Sequence, residues 1–320
     1  MKQQLGKWLS IILPVGLGLF LIVYTYQQFS SEQIEEIKSQ FREADYKYIW
    51  LSLVFGIITL WSRAYRWQFT LEPMGFQTKF ANRFMAVIIS YFVNMSIPRS
   101  GEVSRAFILK KYEEVPFDKG FGTIIAERVV DSLFLLSFIV LALVLQFDVV
   151  KTFVLDKIPL HLLLIVGVFG LLFLIVFFWV LKTSQHKKIL WFKQKISGFM
   201  EGLKSITKMK KRGAFLLHSC VIWIGYVLMF YVTIFALPET SELPFGAVIA
   251  AFVVGGIAIT LTNSGFGAYP FMISKILLLY GVAETSGNTF GWIVWSAQTL
   301  MIVVLGTLSF LLLPLVNRSK

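Results

Sequence analysis

The chain has 320 residues, 57% of them hydrophobic, only 15% Asp, Glu, Lys or Arg, and a formal net charge of +12. Soluble domains carry roughly a quarter charged residues, so this composition excludes an ordinary soluble enzyme or binding module and points to lipid as solvent. In such a chain an excess of Lys and Arg reports loop orientation and anionic headgroups; no nucleic-acid recognition motif accompanies it, and no nucleic-acid partner is expected.

In chain order, residues 8–26 form the first apolar run, preceded by Lys2 and Lys7. No small-residue cleavage pattern follows, so a retained spanning helix is expected rather than a removed signal. Residues 27–47 carry Glu32, Glu35, Glu36, Glu43 and Asp45 against Lys38, Arg42 and Lys47, which reads as an outer loop. Further spans are expected at 48–61, 129–147, 160–181, 214–237 and 290–316. Arg63, Arg66, Lys79 and Arg83 against Glu72 read as inside, with the first two, beside Trp61 and Trp67, as interface anchors. Residues 182–213 form the strongest basic stretch. Ile196, Phe199, Met200, Leu203 and Ile206 alternate there with lysines, as in a cytoplasmic amphipathic segment lying on anionic lipid. Glu239 and Glu242 read as outside, and Arg318 and Lys320 place the C-terminus inside with the N-terminus.

Two apolar stretches are interrupted. The first breaks at Ile97-Pro-Arg-Ser-Gly101 and the second at Asn263-Ser-Gly-Phe-Gly267. Broken backbone at membrane depth survives only inside protein or beside a watery cavity, and paired breaks in two halves point to a transporter's binding site. The loop charges require residues 83–126 to enter and leave from the inner face and residues 245–281 from the outer face. Two re-entrant helical hairpins follow. Units 48–147 and 214–316 would then form an inverted repeat; an irregular bundle without symmetry fits the same loops.

The first hairpin concentrates charge. Pro98 and Gly101 end one half-helix and start another, whose N-terminus suits an anion such as phosphate. Arg99 and Arg105 add fork-shaped donors. Two readings stand for Glu102: a helix-start residue pairing with Arg105, or a polar cavity group that carries a proton. Glu127 and Asp131 share a helix face, with Arg128 beside them. They are either an acidic helix start or cavity groups, because charge in an apolar run is costly unless it faces the bundle or water. In the second hairpin Asn263, Gly265 and Gly267 supply small polar groups and flexible backbone. Lys275 either snorkels to the interface or meets an acid or phosphate in the cavity. Cys220 alone excludes an internal disulfide, and His161, His186 and His218 are scattered, so neither metal nor other cofactor is expected.

The run Ile97-Pro-Arg-Ser-Gly-Glu-Val-Ser-Arg105-Ala-Phe-Ile-Leu, with Gly122-Thr-Ile-Ile-Ala-Glu-Arg-Val-Val-Asp131, resembles the signature of the lysylphosphatidylglycerol synthase transmembrane-region family, also called flippase-like domain proteins. The segment Asn263–Pro270 is similar to that family's second motif, usually Pro-x-x-Gly-Gly-x-Gly-x-x-Glu; here Ala268-Tyr-Pro270 stands in the region of the usual Glu. The resemblance covers nearly the whole chain. Enzymes resembling this family carry a soluble aminoacyltransferase domain fused to the membrane part, and no such domain is expected here. The resemblance therefore implies a lipid flippase rather than a synthase.

The expectation is an all-α polytopic membrane protein of about six transmembrane helices plus two re-entrant hairpins, in a bacterial inner membrane with both termini cytoplasmic. Its expected partners are membrane lipids, anionic or phosphate-bearing: a phospholipid, an aminoacyl-phospholipid or a polyprenyl-phosphate glycolipid moved between leaflets. The expected cavity set is Arg99, Gly101, Glu102, Arg105, Glu127, Arg128, Asp131, Asn263, Gly265, Gly267 and Lys275, with no catalytic residue. The alternative is a membrane-embedded enzyme, or an accessory subunit for a separate transferase, in lipid or cell-envelope glycoconjugate synthesis.

Overall fold

Apolar runs in lipid become helices because each backbone N–H and C=O must find its partner within the segment. A computed structural model of the chain describes residues 2–98, 100–147 and 209–318, with isolated positions at 169, 172, 176, 179, 180, 182–184, 186, 189 and 190. The regular elements among the described residues are all helical. They are α1 (Lys2–Gln27), α2 (Ser31–Glu43), α3 (Tyr46–Leu71), α4 (Phe80–Ser96), α5 (Gly101–Glu113), α6 (Phe117–Leu145), α7 (Arg212–Thr233), α8 (Phe245–Leu261), α9 (Ala268–Leu278) and α10 (Glu284–Val316), with a single turn at Pro238–Ser241 and short 3-10 turns at Glu72–Met74 and Ile234–Ala236.

Four of these elements, α3, α6, α7 and α10, are long and apolar enough to cross a membrane. The chain is thus an all-α, polytopic membrane protein. Residues 8–26 fall within α1. Most of the span expected at 160–181 and about two thirds of the basic segment 182–213 lie outside the described residues. Leu136, Val140 and Val144 on α6, and Leu300, Leu308 and Leu311 on α10, are exposed along one side of each helix, as a lipid-facing surface requires.

Local chemistry sets the helix ends. Ser30 and Gln33 form a reciprocal capping box on α2, and Asp45 accepts from the Lys47 N–H at the start of α3. α4 stops at Ser96, two residues before Pro98, and α5 starts at Gly101. Helix α5 closes at Glu114, which takes left-handed backbone (φ 57°), and Pro116 then disfavours helix at Val115. From Phe117 α6 runs unbroken for 29 residues. The first hairpin therefore ends at Glu113, not at residue 126, and residues 117–126 belong to the long helix. In the second hairpin Gly265 and Gly267 have φ of 80° and 68°, the left-handed region that glycine enters freely.

Each hairpin has its own apolar core. Leu60, Trp67, Val87, Ala106, Leu109 and Ile124 bind α3 to α6 together; Phe230, Val248, Ala258, Ile273 and Phe290 do so for α7 to α10. α3 and α7 pair at the centre, where Gly225 admits Thr59. α4 packs on α10 and α8 packs on α6, so the first arm of each hairpin crosses to the long helix of the other unit. The order helix, hairpin, long helix occurs twice, with reciprocal partners.

The first hairpin closes tightly. A Cβ on Gly101 would overlap the Ser90 carbonyl and the Asn94 amide, one of them rigid backbone. Gly101→Ala is expected to destabilise by about 1–3 kcal/mol, the usual cost of overpacking. The readout is the unfolding midpoint of the detergent-solubilised protein. Gly122→Ala, inside α6 where a Cβ meets nothing within 4 Å, serves as the control and should hold or raise it, because Ala favours helix over Gly.

Candidate functional site

Helix periodicity assembles a charge cluster from three elements. On α3, Arg63 and Arg66 stand one turn apart on one face; on α6, Glu127 and Asp131 do the same. α5 adds Glu102 and Arg105. Asp131 lies at the middle of α6. It accepts from Arg63 Nη1 at 2.8 Å and from Arg66 Nη1 and Nη2 at 2.7 and 3.2 Å. Arg105 Nη1 lies 2.9 Å from Glu127 Oε2, and Arg66 Nη2 lies 3.9 Å from the same oxygen. The Arg105 guanidinium also lies over the Trp67 ring, 3.7 Å from its centroid. Trp67 is fixed in turn by donating to Thr123 Oγ1 at 2.9 Å.

Arg66, Arg105 and Glu127 are at most 1% exposed. Buried charge is costly unless it is paired, so these groups are first a fastening between α3, α5 and α6, with Glu127 held by ion pairing to Arg105 and Arg66 rather than by aligned hydrogen bonds. Ser219 of α7 joins by accepting from Arg66 Nη1 at 3.0 Å; Tyr226 accepts from Arg63 Nη2 at 3.3 Å and sits 3.0 Å from the Tyr91 hydroxyl. Four guanidinium groups face three carboxyl groups, which leaves one positive charge in excess.

That excess reaches a cavity of about 770 Å³ between the two helix breaks. Arg128 and Glu102 line it and pair at 3.1 Å, with side chains 38% and 26% exposed. Arg128 Nη1 also lies 3.7 Å from Asp131 Oδ2, which ties the exposed pair to the buried cluster. The remaining wall is aromatic (Tyr91, Trp223, Tyr226, Trp295), amide or hydroxyl (Asn94, Asn263, Gln298, Thr299) and aliphatic (Met229, Ile259, Ile302). Asn263 Nδ2 donates to the Met95 carbonyl at 2.8 Å, so the two hairpin tips touch at the cavity.

Among the expected cavity residues, Glu102, Arg128 and Asn263 line this space. Asp131 and Glu127 stand behind Arg128 and Arg105 rather than in the wall. Arg105 is enclosed between Glu127 and Trp67, so it is no headgroup clamp. Arg99 lies outside the described residues. Gly101 opens α5, but its N–H donates to Asn94 Oδ1 at 2.7 Å and is not free for an anion. Gly265 shapes the turn and packs near Ile259, Tyr269 and Trp295. Gly267 faces away, against the Gly18 carbonyl of α1, where a Cβ would collide. Lys275 pairs with Glu284 at the far end of α9 and does not reach the cavity. Arg63 and Arg66, read from sequence as interface anchors, are 3% and 0% exposed and hold the cluster's centre.

Comparison with known proteins follows the same outline. A family model described as the lysylphosphatidylglycerol synthase TM region matches residues 11–306. A UPF0104 membrane protein of Methanocaldococcus jannaschii is 33% identical over 95 residues, 29% of this chain and 28% of that protein. A second UPF0104 membrane protein of the same organism is 27% identical over 199 residues, 60% of this chain and 81% of that protein. Glycosyltransferase AglD of Haloferax volcanii is 29% identical over 99 residues, 31% of this chain and 16% of that protein. The chain thus spans under a third of the first and the third of these relatives. No solved structure matches it.

Proposed function

The chain belongs to the lysylphosphatidylglycerol synthase TM region family, and on that premise we propose that it moves a phosphate-bearing lipid between membrane leaflets. The family and the match to a glycosyltransferase point to a membrane lipid-related function. One observation carries the finer reading: a cavity lies between two broken helices, and its wall holds Arg128 at the edge of a cluster with one positive charge in excess. A lipid headgroup needs a polar path while its tails stay in hydrocarbon, and a cavity roofed by irregular backbone offers one. The two hairpins act as re-entrant elements from opposite faces of a bacterial inner membrane, with both chain termini cytoplasmic.

In this reading the lipid phosphate takes the place of the Glu102 carboxylate on Arg128. Glu102 and Asp131 compete with the anion for the same guanidinium, so the phosphate is held and then released. The chain carries no nucleotide-binding motif, so movement is passive or coupled to an ion gradient. Purified protein in liposomes with a headgroup-labelled anionic phospholipid tests this by accessibility of the label to a membrane-impermeant quencher. Protein-dependent loss of the inner-leaflet signal, which empty liposomes protect from the quencher, is expected. A rate equal to that of empty liposomes with several lipid classes would refute translocation. A lipid that is bound but never moved would favour the second reading, an accessory subunit for a separate transferase, which the partial match to glycosyltransferase AglD supports.

A further inference from the structure

Helix α8 divides its surface three ways. Val248, Ala251 and Ala258 enter the core of its own unit, while Ile249, Val253 and Ile257 pack with Phe138, Ile139 and Ala142 of α6. Phe252, Gly256, Ile259 and Thr260, spaced as one helix face, line the cavity. One turn from Phe138 toward the helix breaks, Leu135 of α6 also lines the cavity, and Arg128 does so two turns further on. The two helices thus hold together at one end and part at the other, leaving a gap that runs to Arg128. Ile259 lines the gap and is 42% exposed, and Ile97 at the facing hairpin tip is 51% exposed, which places the mouth there. The wall is charged at Arg128 and Glu102 and apolar at Leu135, Gly256 and Ile259; Thr260 donates its hydroxyl to its own helix, at the Gly256 carbonyl. Gly255 is explained by packing, since a Cβ would lie 2.7 Å from the Tyr269 ring. Gly256 is not: a Cβ there meets nothing within 4 Å among the described residues, although glycine weakens a helix interior relative to alanine.

We propose that a hydrocarbon chain of the lipid held at Arg128 leaves the cavity between α6 and α8, and that Gly256 keeps that gap wide enough for it. The charged end retains the phosphate while the chain crosses an apolar gap into the bilayer, so each part of the lipid stays in a solvent that suits it. The contact of Phe138 and Ala142 with Ile249 and Val253 closes the seam beyond, which confines the chain to the turns around Gly256. A side chain at Gly256 would project into the space the chain occupies. This inference rests on the translocation reading above and adds the route of the tail to it.

The test uses the full-length protein in phosphatidylglycerol liposomes, with part of the lipid carrying a photoactivatable diazirine halfway along one acyl chain. After illumination, adducts are located by mass spectrometry; translocation is followed in parallel with headgroup-labelled phosphatidylglycerol. The wild type is expected to carry adducts at Leu135 and Ile259, besides those on the lipid-facing Leu308 and Leu311 of α10. Gly256→Leu should lower the adducts at Leu135 and Ile259, and the translocation rate, each roughly tenfold, the lower end of what one misplaced group costs in a fitted apolar site. The α10 adducts should not change. Gly256→Ala should fall between, with an unfolding midpoint at or above that of the wild type, because alanine favours helix. Should the leucine unfold the protein, the alanine decides alone. Adducts at Leu135 and Ile259 that ignore the side chain at Gly256, or that are missing from the wild type, overturn the route whether or not lipid moves. Adducts that respond to Gly256 in a protein that moves no lipid support the route and refute translocation alone.

Discussion

Asp131→Ala is expected to yield little folded protein. Asp131 is 7% exposed and accepts three hydrogen bonds from Arg63 and Arg66, with Arg128 at 3.7 Å. Removing the carboxylate leaves two guanidinium groups buried beside the remaining arginines, with Glu127 as the nearest acid. Breaking a buried ion pair from one side costs about 3–5 kcal/mol, a large part of the stability of a typical domain. Asp131→Asn keeps the shape and loses the charge, and should fall between the two. Size-exclusion profile and unfolding midpoint in detergent are the readouts. An Asp131→Ala protein that is monodisperse with a wild-type midpoint would show that the cluster does not hold α3 to α6.

Arg128→Ala should do the reverse: keep the fold and lose transport. The side chain is 38% exposed, and it is the one guanidinium of the cluster that lines the cavity. A charge-assisted hydrogen bond is worth about 1.5–3 kcal/mol, so phosphate capture should weaken roughly ten- to a hundredfold. Headgroup translocation in liposomes measures this, with the unfolding midpoint as the control for folding. Glu102→Gln separates the two roles of that acid. Under an imposed pH gradient, a proton carrier loses the gradient's effect on rate when changed to Gln. A helix-start residue leaves that response intact and, by freeing Arg128, raises lipid retention.

Both helix breaks were readable from Pro98, Gly101, Gly265 and Gly267, because those residues impose or permit backbone that lipid punishes. The charged face of α6 was readable from the spacing of Glu127 and Asp131. The role of Arg63 and Arg66 was not. Their neighbours Trp61 and Trp67 mimic an interfacial belt, and only the fold brings α6 against α3. The spacing of the two arginines, one turn apart in a stretch whose aromatic and apolar residues continue to Leu71, was the signal available. Arg105 looked like a phosphate donor because sequence shows its charge and not the Glu127 and Trp67 that enclose it. Tyr226, Trp223, Trp295 and Gln298 were invisible as a site because single aromatics and amides in apolar runs carry no motif. Lys275 was ambiguous for the same reason: its partner Glu284 lies beyond a turn. The end of the first hairpin was misplaced because the apolar pattern strengthens only after residue 128, whereas Pro116 sets the physical boundary.

The central claim is that Arg128 receives the phosphate of a lipid in the cavity between the two breaks. A high-resolution structure of the protein in nanodiscs of native lipid tests it most directly. The account predicts a phosphate in the cavity within hydrogen-bond distance of the Arg128 guanidinium, about 3 Å, with the Glu102 carboxylate displaced. A cavity holding only acyl chain, with Arg128 still paired to Glu102 and every phosphate at the outer surface, would contradict it.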